Sequence, residues 1–151
     1  NLITNSLCWL KFKCFCSLKR FIRWNYYRDV MKIAIIGASK DKEKFSNKAV
    51  RAYKKNHHVV FPVNPNEREI EGLKCYNSVM SIPLDVEVAS FYLPPAVGEK
   101  IIDEVIKKGI KKVFLNPGTE SDEIIKKLKS AKIEIVQTCS ILDIGEDPEK
   151  L

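Results

Sequence analysis

The chain lacks long apolar runs and is poor in histidine, with two residues among 151. A transmembrane helix needs about 20 consecutive, mostly apolar residues, and charged residues interrupt every stretch of that length. Two histidines and scattered acids provide no Ser-His-Asp order, no carboxylates paired at helical spacing and no cluster of metal ligands. These absences predict neither a membrane span nor a catalytic site.

Cysteine spacing also excludes some classes of protein. Three of the five cysteines lie in residues 1–30. The other two, Cys75 and Cys139, show neither the pairing of a disulfide framework nor the Cys-x-x-Cys spacing of a zinc site. We therefore expect a reduced, cytoplasmic setting.

The net charge of +7 is divided unevenly along the chain. Residues 1–30 carry six Lys or Arg and one acid, whereas residues 31–151 carry 20 and 18, which gives +5 and +2. The first segment has no helical or strand period. We expect it to be a leader outside the domain, disordered or arising from upstream translation, and the domain to span 31–151. The alternative is a basic, aromatic tail that binds nucleic acid or a partner.

From residue 31, short apolar segments rich in β-branched residues alternate with amphipathic helical segments. Strands are expected at about 32–37, 58–62, 86–92, 111–115 and 133–137, and helices at 46–56, 96–108 and 120–131 with a weaker one at 77–81. Ser46 is expected to cap the first helix. The alternation predicts an α/β fold: a doubly wound parallel sheet of about five strands with helices on both faces.

The first strand ends in Gly37, whose missing side chain would let the backbone approach a ligand. Ala38 and Ser39 are small enough to leave backbone amides exposed to a phosphate. Lys44 follows seven residues after Gly37 and could bring a cation to the same phosphate. The alternatives are a tight turn without a ligand and a solvated lysine.

Two features argue against a nicotinamide dinucleotide. Lys40, Asp41 and Lys42 stand where a Gly-x-Gly-x-x-Gly fingerprint would place glycines. The end of the second strand holds residues 62–65, Pro-Val-Asn-Pro, and no carboxylate to hold ribose hydroxyls. A small NAD(P)-dependent oxidoreductase is therefore the weaker alternative.

Proline-containing turns follow three of the expected strands, at residues 62–65, 93–95 and 116–118. The carboxyl ends of parallel strands meet at one edge of a sheet, where open α/β sheets bind ligands. Proline fixes φ. We therefore expect a rigid rim at that edge.

These motifs together resemble those of stand-alone CoA-binding domain proteins, which are similar to the amino-terminal domain of the succinyl-CoA synthetase alpha subunit. The resemblance depends on the order and spacing of Gly37-Ala-Ser39, Lys44-Phe-Ser46, Pro62-Val-Asn-Pro65, Glu71-Gly-Leu-Lys-Cys-Tyr76, Asn116-Pro-Gly118 and Cys139-Ser-Ile141. It implies a Rossmann-like fold that binds coenzyme A. The ligand contacts that it implies are Gly37, Ala38, Ser39, Lys44, Val63, Asn64, Pro65, Leu93, Pro94, Pro95, Asn116, Pro117 and Gly118.

The chain departs from the family pattern at two helix ends. Family members commonly have glycine where this chain has Asn56-His57 and Lys132. We expect Asn56 to tolerate a left-handed helix end and Lys132 to lengthen its helix.

The resemblance favours a module that binds CoA or an acyl-CoA without catalysing a reaction by itself, with a separate catalytic subunit as a candidate partner. Cys139 follows the last strand and could meet the CoA thiol, although a half-buried structural cysteine is the stronger interpretation. A nucleic-acid partner is not expected. The sequence does not fix the acyl group or the oligomeric state.

Overall fold

The computed structural model describes residues 30–151, of which Met31–Leu151 form one compact unit. The predictions made for the first segment concern residues 1–30, of which all but Val30 lie outside the described residues. Within residues 30–151, no helix is long and apolar enough to cross a membrane, and the longest, at 95–107, has 13 residues.

Five strands and three helices carry the fold, with smaller elements between them. The strands are β1 (Lys32–Ile36), β2 (Val59–Val63), β3 (Glu69–Ile70), β4 (Leu73–Lys74), β5 (Val88–Phe91), β6 (Lys112–Leu115) and β7 (Glu134–Val136). The helices are α1 (Phe45–Lys55), α2 (Pro95–Lys107), α3 (Asp122–Ser130) and α4 (Ser140–Asp143), with 3₁₀ turns at Val79–Ser81 and Pro148–Lys150. All five predicted strands and the three predicted long helices are present.

The main sheet has the order β2-β1-β5-β6-β7, and all of its neighbouring strands pair in parallel. Pro62 is compatible with β2 because β2 lies at the edge of this sheet. The doubly wound sheet predicted from the alternating pattern and the Rossmann-like fold implied by the resemblance are therefore confirmed.

Helices cover both faces of the sheet, because successive side chains of a strand point to opposite faces. In β1, Ala34 and Ile36 pack in one core cluster with residues of α2 and α3. Ile33 and Ile35 pack in a second cluster with residues of α1 and α4. All four side chains are at most 1% exposed, so β1 lies at the centre of the domain.

The sequence analysis did not predict a small hairpin between β2 and β5. Its strands β3 and β4 pair antiparallel around a two-residue loop of Glu71 and Gly72, whose φ values are 51° and 74°. A two-residue loop with both φ values positive is the twist-compatible hairpin turn, which glycine favours. Strands of two residues are too short to show an alternating pattern, so the Glu-Gly pair was the available signal.

The helix ends correct both expectations about the missing glycines. The left-handed residue after α1 is His57, with φ 61°, whereas Asn56 has an ordinary φ of −85°. Lys132 does not lengthen α3, because it takes φ 57° just beyond the helix. At each end the amide of the left-handed residue and the amide of the residue after it donate to carbonyls of the preceding helix. This hydrogen-bond pattern requires the left-handed conformation.

Candidate ligand-binding site

The strand order fixes where a ligand can enter the domain. β1 and β5 are neighbours, and from them the chain continues to β2 on one side and to β6 and β7 on the other. Ligands of open α/β sheets bind outside the carboxyl ends of the strands at such a switch point, because the loops diverge there. The loops after β1, β2 and β5 therefore form the candidate site.

A cleft of about 730 Å³ opens between these loops. Its lining includes seven of the residues predicted as ligand contacts: Gly37, Ser39, Lys44, Val63, Asn64, Pro65 and Leu93. We call it the first cleft. Its volume lies in the range of pockets for small molecules and cofactors, about 300–1,000 Å³.

A second cleft of about 530 Å³ lies beside the first one. Its lining includes Leu93 again and five further predicted residues: Pro94, Pro95, Asn116, Pro117 and Gly118. Phe45, Tyr92 and Leu93 line both clefts, so the two clefts adjoin. Ala38 lies in neither lining and is fully buried.

The turn at Gly37 differs from the expected phosphate-binding loop. The amides of Gly37 and Ala38 both donate to the Val63 carbonyl, at 3.0 and 3.2 Å. These two amides are therefore not exposed to a ligand, which corrects that part of the prediction, whereas the ligand contacts of the turn stay a prediction. Gly37 itself has φ +85°, and a Cβ added there would lie 2.7 Å from Leu93 Cδ2. Glycine is required here by the backbone and by packing against the next loop.

Side-chain amides hold the loop after β1 in place. Asn64 Nδ2 donates to the Ala38 carbonyl at 2.7 Å, and Asn47 Nδ2 donates to the Ser39 carbonyl at 2.8 Å. Asn64 Oδ1 also accepts a hydrogen bond from the Asn66 amide at 2.9 Å. Asn64 therefore links the loops after β1 and β2, and the loop after β1 is preorganised.

The amino end of α1 faces the first cleft without a side-chain cap. Lys44 is the N-cap residue, and Ser46 is the second residue of the helix, so the prediction that Ser46 caps it was wrong. The first turn contains no acidic residue. The positive end of the helix dipole is therefore not offset by a side chain of that turn, which favours an anion nearby.

Lys44 differs from the neighbouring lysines in its surroundings. Lys40 forms an ion pair with Glu67 at 2.7 Å, and Lys48 donates to the Pro148 carbonyl at 2.8 Å. Lys44 lines the first cleft and is exposed. Lys44 therefore lies at the first cleft, and its role as a ligand contact stays a prediction.

The floor of the second cleft is a buried polar network. Asn116, 4% exposed, donates through Nδ2 to Ser90 Oγ and the Phe91 carbonyl, and its Oδ1 accepts from the Ser140 amide. The Ser140 hydroxyl lies 2.9 Å from the Tyr92 hydroxyl. Burial raises the pKa of Tyr92 to about 12, so this phenol stays protonated at neutral pH. Asn116 thus joins the ends of β5, β6 and α4, and its amide is used within the protein.

Several lining residues were missed from the sequence. They are Ile36, Phe45, Ser46, Asn66, Asn77, Ser78, Val79, Tyr92, Val97, Ile101 and Glu104 in the first cleft and Thr119, Leu142 and Pro148 in the second. Phe45 opens α1 and is 56% exposed. It lies inside the family motif Lys44-Phe-Ser46, so that motif was the available signal for it.

The reactive side chains near the site are few. Among residues 30–151, no three His, Cys, Asp or Glu side chains are grouped closely enough to hold a metal ion. Burial raises the pKa of the Cys75 thiol, which disfavours its thiolate. Cys139 is half-buried and lines the second cleft. A site of this kind is suited to binding and orienting a ligand.

Comparison with known proteins identifies the domain. The family model for the CoA binding domain matches residues 31–145. An ADP-forming acetate–CoA ligase of Methanocaldococcus jannaschii is 33% identical over 113 residues, which are 75% of this chain and 16% of the ligase. The chain therefore spans about a sixth of that relative's length.

Two solved structures are similar over most of the domain. A conserved hypothetical protein from Pyrococcus furiosus is 41% identical, with a TM-score of 0.69, and the match covers 75% of this chain and 98% of that one. The dinucleotide-forming acetyl-coenzyme A synthetase 1 of Ca. Korarchaeum cryptofilum, in complex with phosphate and ADP, is 27% identical with a TM-score of 0.65, covering 81% and 27%. Because the family match takes in the loops that line both clefts, the chain belongs to the CoA-binding domain family.

Proposed function

We propose that this chain binds coenzyme A, free or acylated, in the two adjoining clefts at the carboxyl edge of its sheet. One observation carries the proposal: loops that are far apart in sequence, after β1, β2 and β5, line a single cleft of about 730 Å³. These are the loops in which the family motifs lie.

The first cleft fits the phosphate-bearing half of the ligand. Lys44 supplies a cation at its edge, and the uncapped amino end of α1 adds a positive dipole beside it. The Gly37 and Ala38 amides are engaged with Val63, so they are not the phosphate donors. We assign that role to the first turn of α1 together with Lys44.

The same geometry argues against a nicotinamide cofactor. Asn64 stands at the end of β2, where a carboxylate would hold the ribose hydroxyls. Its Nδ2 donates to Ala38 and its Oδ1 accepts from Asn66. The nearby Glu67 carboxylate pairs with Lys40. An NAD-type contact at this place would require these pairs to break.

We further infer that the chain holds its ligand without catalysing a reaction alone. Tyr92 is protonated at neutral pH and engaged with Ser140, so it is unsuited to act as a base. A similar protein of Pyrococcus furiosus, 34% identical over 92 residues, is the alpha subunit of an ADP-forming acetate–CoA ligase. By analogy with that relative, a separate catalytic subunit is the proposed partner.

Isothermal titration calorimetry and thermal denaturation of the full chain with CoA, NAD and NADP test the proposal. We expect saturable binding of CoA and a concentration-dependent rise of the melting temperature, because a ligand of the native state stabilises it. Equal stabilisation by NAD would overturn the assignment, as would the absence of CoA binding. Native mass spectrometry of the freshly purified protein should show a retained mass that matches CoA or a thioester of it.

A further inference from the structure

The second cleft presents apolar side chains to solvent. Phe45 and Leu142 are 56% and 58% exposed, and both line this cleft. Prolines supply much of the rest of the wall, at Pro94, Pro95 and Pro148 among others. Exposed apolar side chains that converge on one cavity indicate a binding site for an apolar group.

The two clefts differ in charge. None of the residues that line the second cleft is Lys, Arg, Asp or Glu, whereas Lys44 and Glu104 line the first one. Lys48, which lies beside this cleft, donates to the Pro148 carbonyl, so a phosphate in the second cleft would lose its hydration without gaining a cation from the lining. A ligand that spans both clefts must place its anionic end in the first and an uncharged, apolar end in the second.

The walls of the second cleft are held in position before any ligand arrives. Lys48 Nζ donates to the Pro148 carbonyl at 2.8 Å and lies 5.8 Å from the centre of the Phe45 ring, so one side chain braces two walls. Leu142 lies on α4, whose first amide, at Ser140, is fixed by Asn116. A preformed apolar cavity loses less conformational entropy when it binds.

We propose that the second cleft is an acyl subsite, so that the preferred ligand of this chain is an acyl-CoA whose apolar acyl chain is longer than acetyl. The proposal rests on the proposed function. The uncharged pantetheine arm of the ligand passes between the two clefts beside the residues that they share, Phe45, Tyr92 and Leu93, so that the acyl end lies in the second cleft. Leu142 lines the second cleft but not the first, so it should contribute to acyl selectivity.

Calorimetric titration of the full chain with CoA, acetyl-CoA, butyryl-CoA and hexanoyl-CoA tests the proposal. We expect the affinity to rise by about twofold to fourfold for each added methylene, the upper value corresponding to complete burial of that group. An affinity that is independent of acyl length would overturn the acyl subsite while leaving the proposed function intact. Failure of all four ligands to bind would overturn both.

A pair of variants locates the effect in the second cleft. Leu142→Ser should reduce the ratio of hexanoyl-CoA to CoA affinity about tenfold, because it replaces an apolar wall by a hydroxyl. Leu84→Ser is the matched control, since Leu84 is 53% exposed but lines neither cleft, and it should leave the ratio unchanged. Both sites are exposed, so both variants should fold. An unchanged ratio in folded Leu142→Ser would place the acyl chain elsewhere and overturn the proposal.

Discussion

Two turns on the rim of the site contain a glycine in the same left-handed conformation, yet their surroundings differ. Gly37 after β1 has φ +85°, and Gly118 after β6 has φ +86°. A Cβ on Gly37 would lie 2.7 Å from Leu93 Cδ2, whereas in the described part of the chain nothing lies within 4 Å of a Cβ on Gly118. Gly37 is thus required by backbone and packing, but Gly118 by backbone alone.

The difference reflects where the turns lie. The first turn is at the switch point, where the loops after β1, β2 and β5 pack together, and Leu93 comes from the loop after β5. The second turn is more open and is fixed from below by Asn116 and Thr119. The first cleft is therefore shaped by close packing, and the second by a buried polar network.

Replacing each glycine by alanine should separate these two requirements. Gly37→Ala should reduce the free energy of unfolding by about 2–5 kcal/mol, the sum of left-handed strain and overpacking. Gly118→Ala should lose about 1–2 kcal/mol, from the strain alone. Urea denaturation measures both values. Equal losses would show that the contact with Leu93 relaxes at no cost.

The polar network under the second turn predicts the next largest effect. Asn116→Ala should reduce the free energy of unfolding by about 2–4 kcal/mol, because it leaves the buried Ser140 amide and the Phe91 carbonyl without their partner. Asn64→Ala, at the partly exposed first turn, should lose about 1–2 kcal/mol. Chemical denaturation of the two variants gives the comparison. A larger loss for Asn64→Ala would reverse it.

Ligand binding should depend on Lys44, which lies at the edge of the first cleft. Lys44→Ala should weaken CoA binding by about 1–3 kcal/mol, the usual range for a hydrogen bond to a charged group, and should reduce the salt dependence of the affinity. Lys42→Ala is the matched control, an exposed lysine of the same loop that does not line the first cleft. Calorimetry at two salt concentrations measures the effect. Equal losses of affinity in both variants would indicate that the positive charge of the loop attracts the ligand without a specific contact from Lys44.

The smallest effect tests left-handed residues away from the rim. Lys132 takes φ 57° without being glycine, so Lys132→Gly should raise the free energy of unfolding by about 1 kcal/mol. Lys129→Gly, inside α3, should lower it by about 1 kcal/mol because glycine disfavours a helix. Thermal and urea denaturation measure both changes. A destabilised Lys132→Gly would mean that its side chain makes a contact that outweighs the strain.

Much of the fold was predictable because its elements are locally encoded. β1 is a run of apolar residues that ends in glycine, and α3 begins after Ser121, whose side chain accepts a hydrogen bond from the Ile124 amide. Such signals act over a few residues, so the sequence carries them directly. The hairpin at β3 and β4 was missed because strands of two residues have no measurable period.

The site was predictable in part. Family motifs identified the loops, and the structure gathers most of the named residues into the two clefts. The sequence did not predict which partners individual amides and side chains would bond. The Gly37 amide is engaged with Val63, and the Asn116 side chain with Ser90, through contacts that span 26 residues in each case.

The sequence by itself determined the five strands of the main sheet, the long helices and the three turns with proline, because periodicity, caps and fixed φ angles are properties of neighbouring residues. The tertiary structure alone decided which amides remain available, and that Phe45 and Leu142 are both exposed in the lining of the second cleft. Those properties depend on strand order and on side chains that meet from distant segments, and no local pattern encodes them.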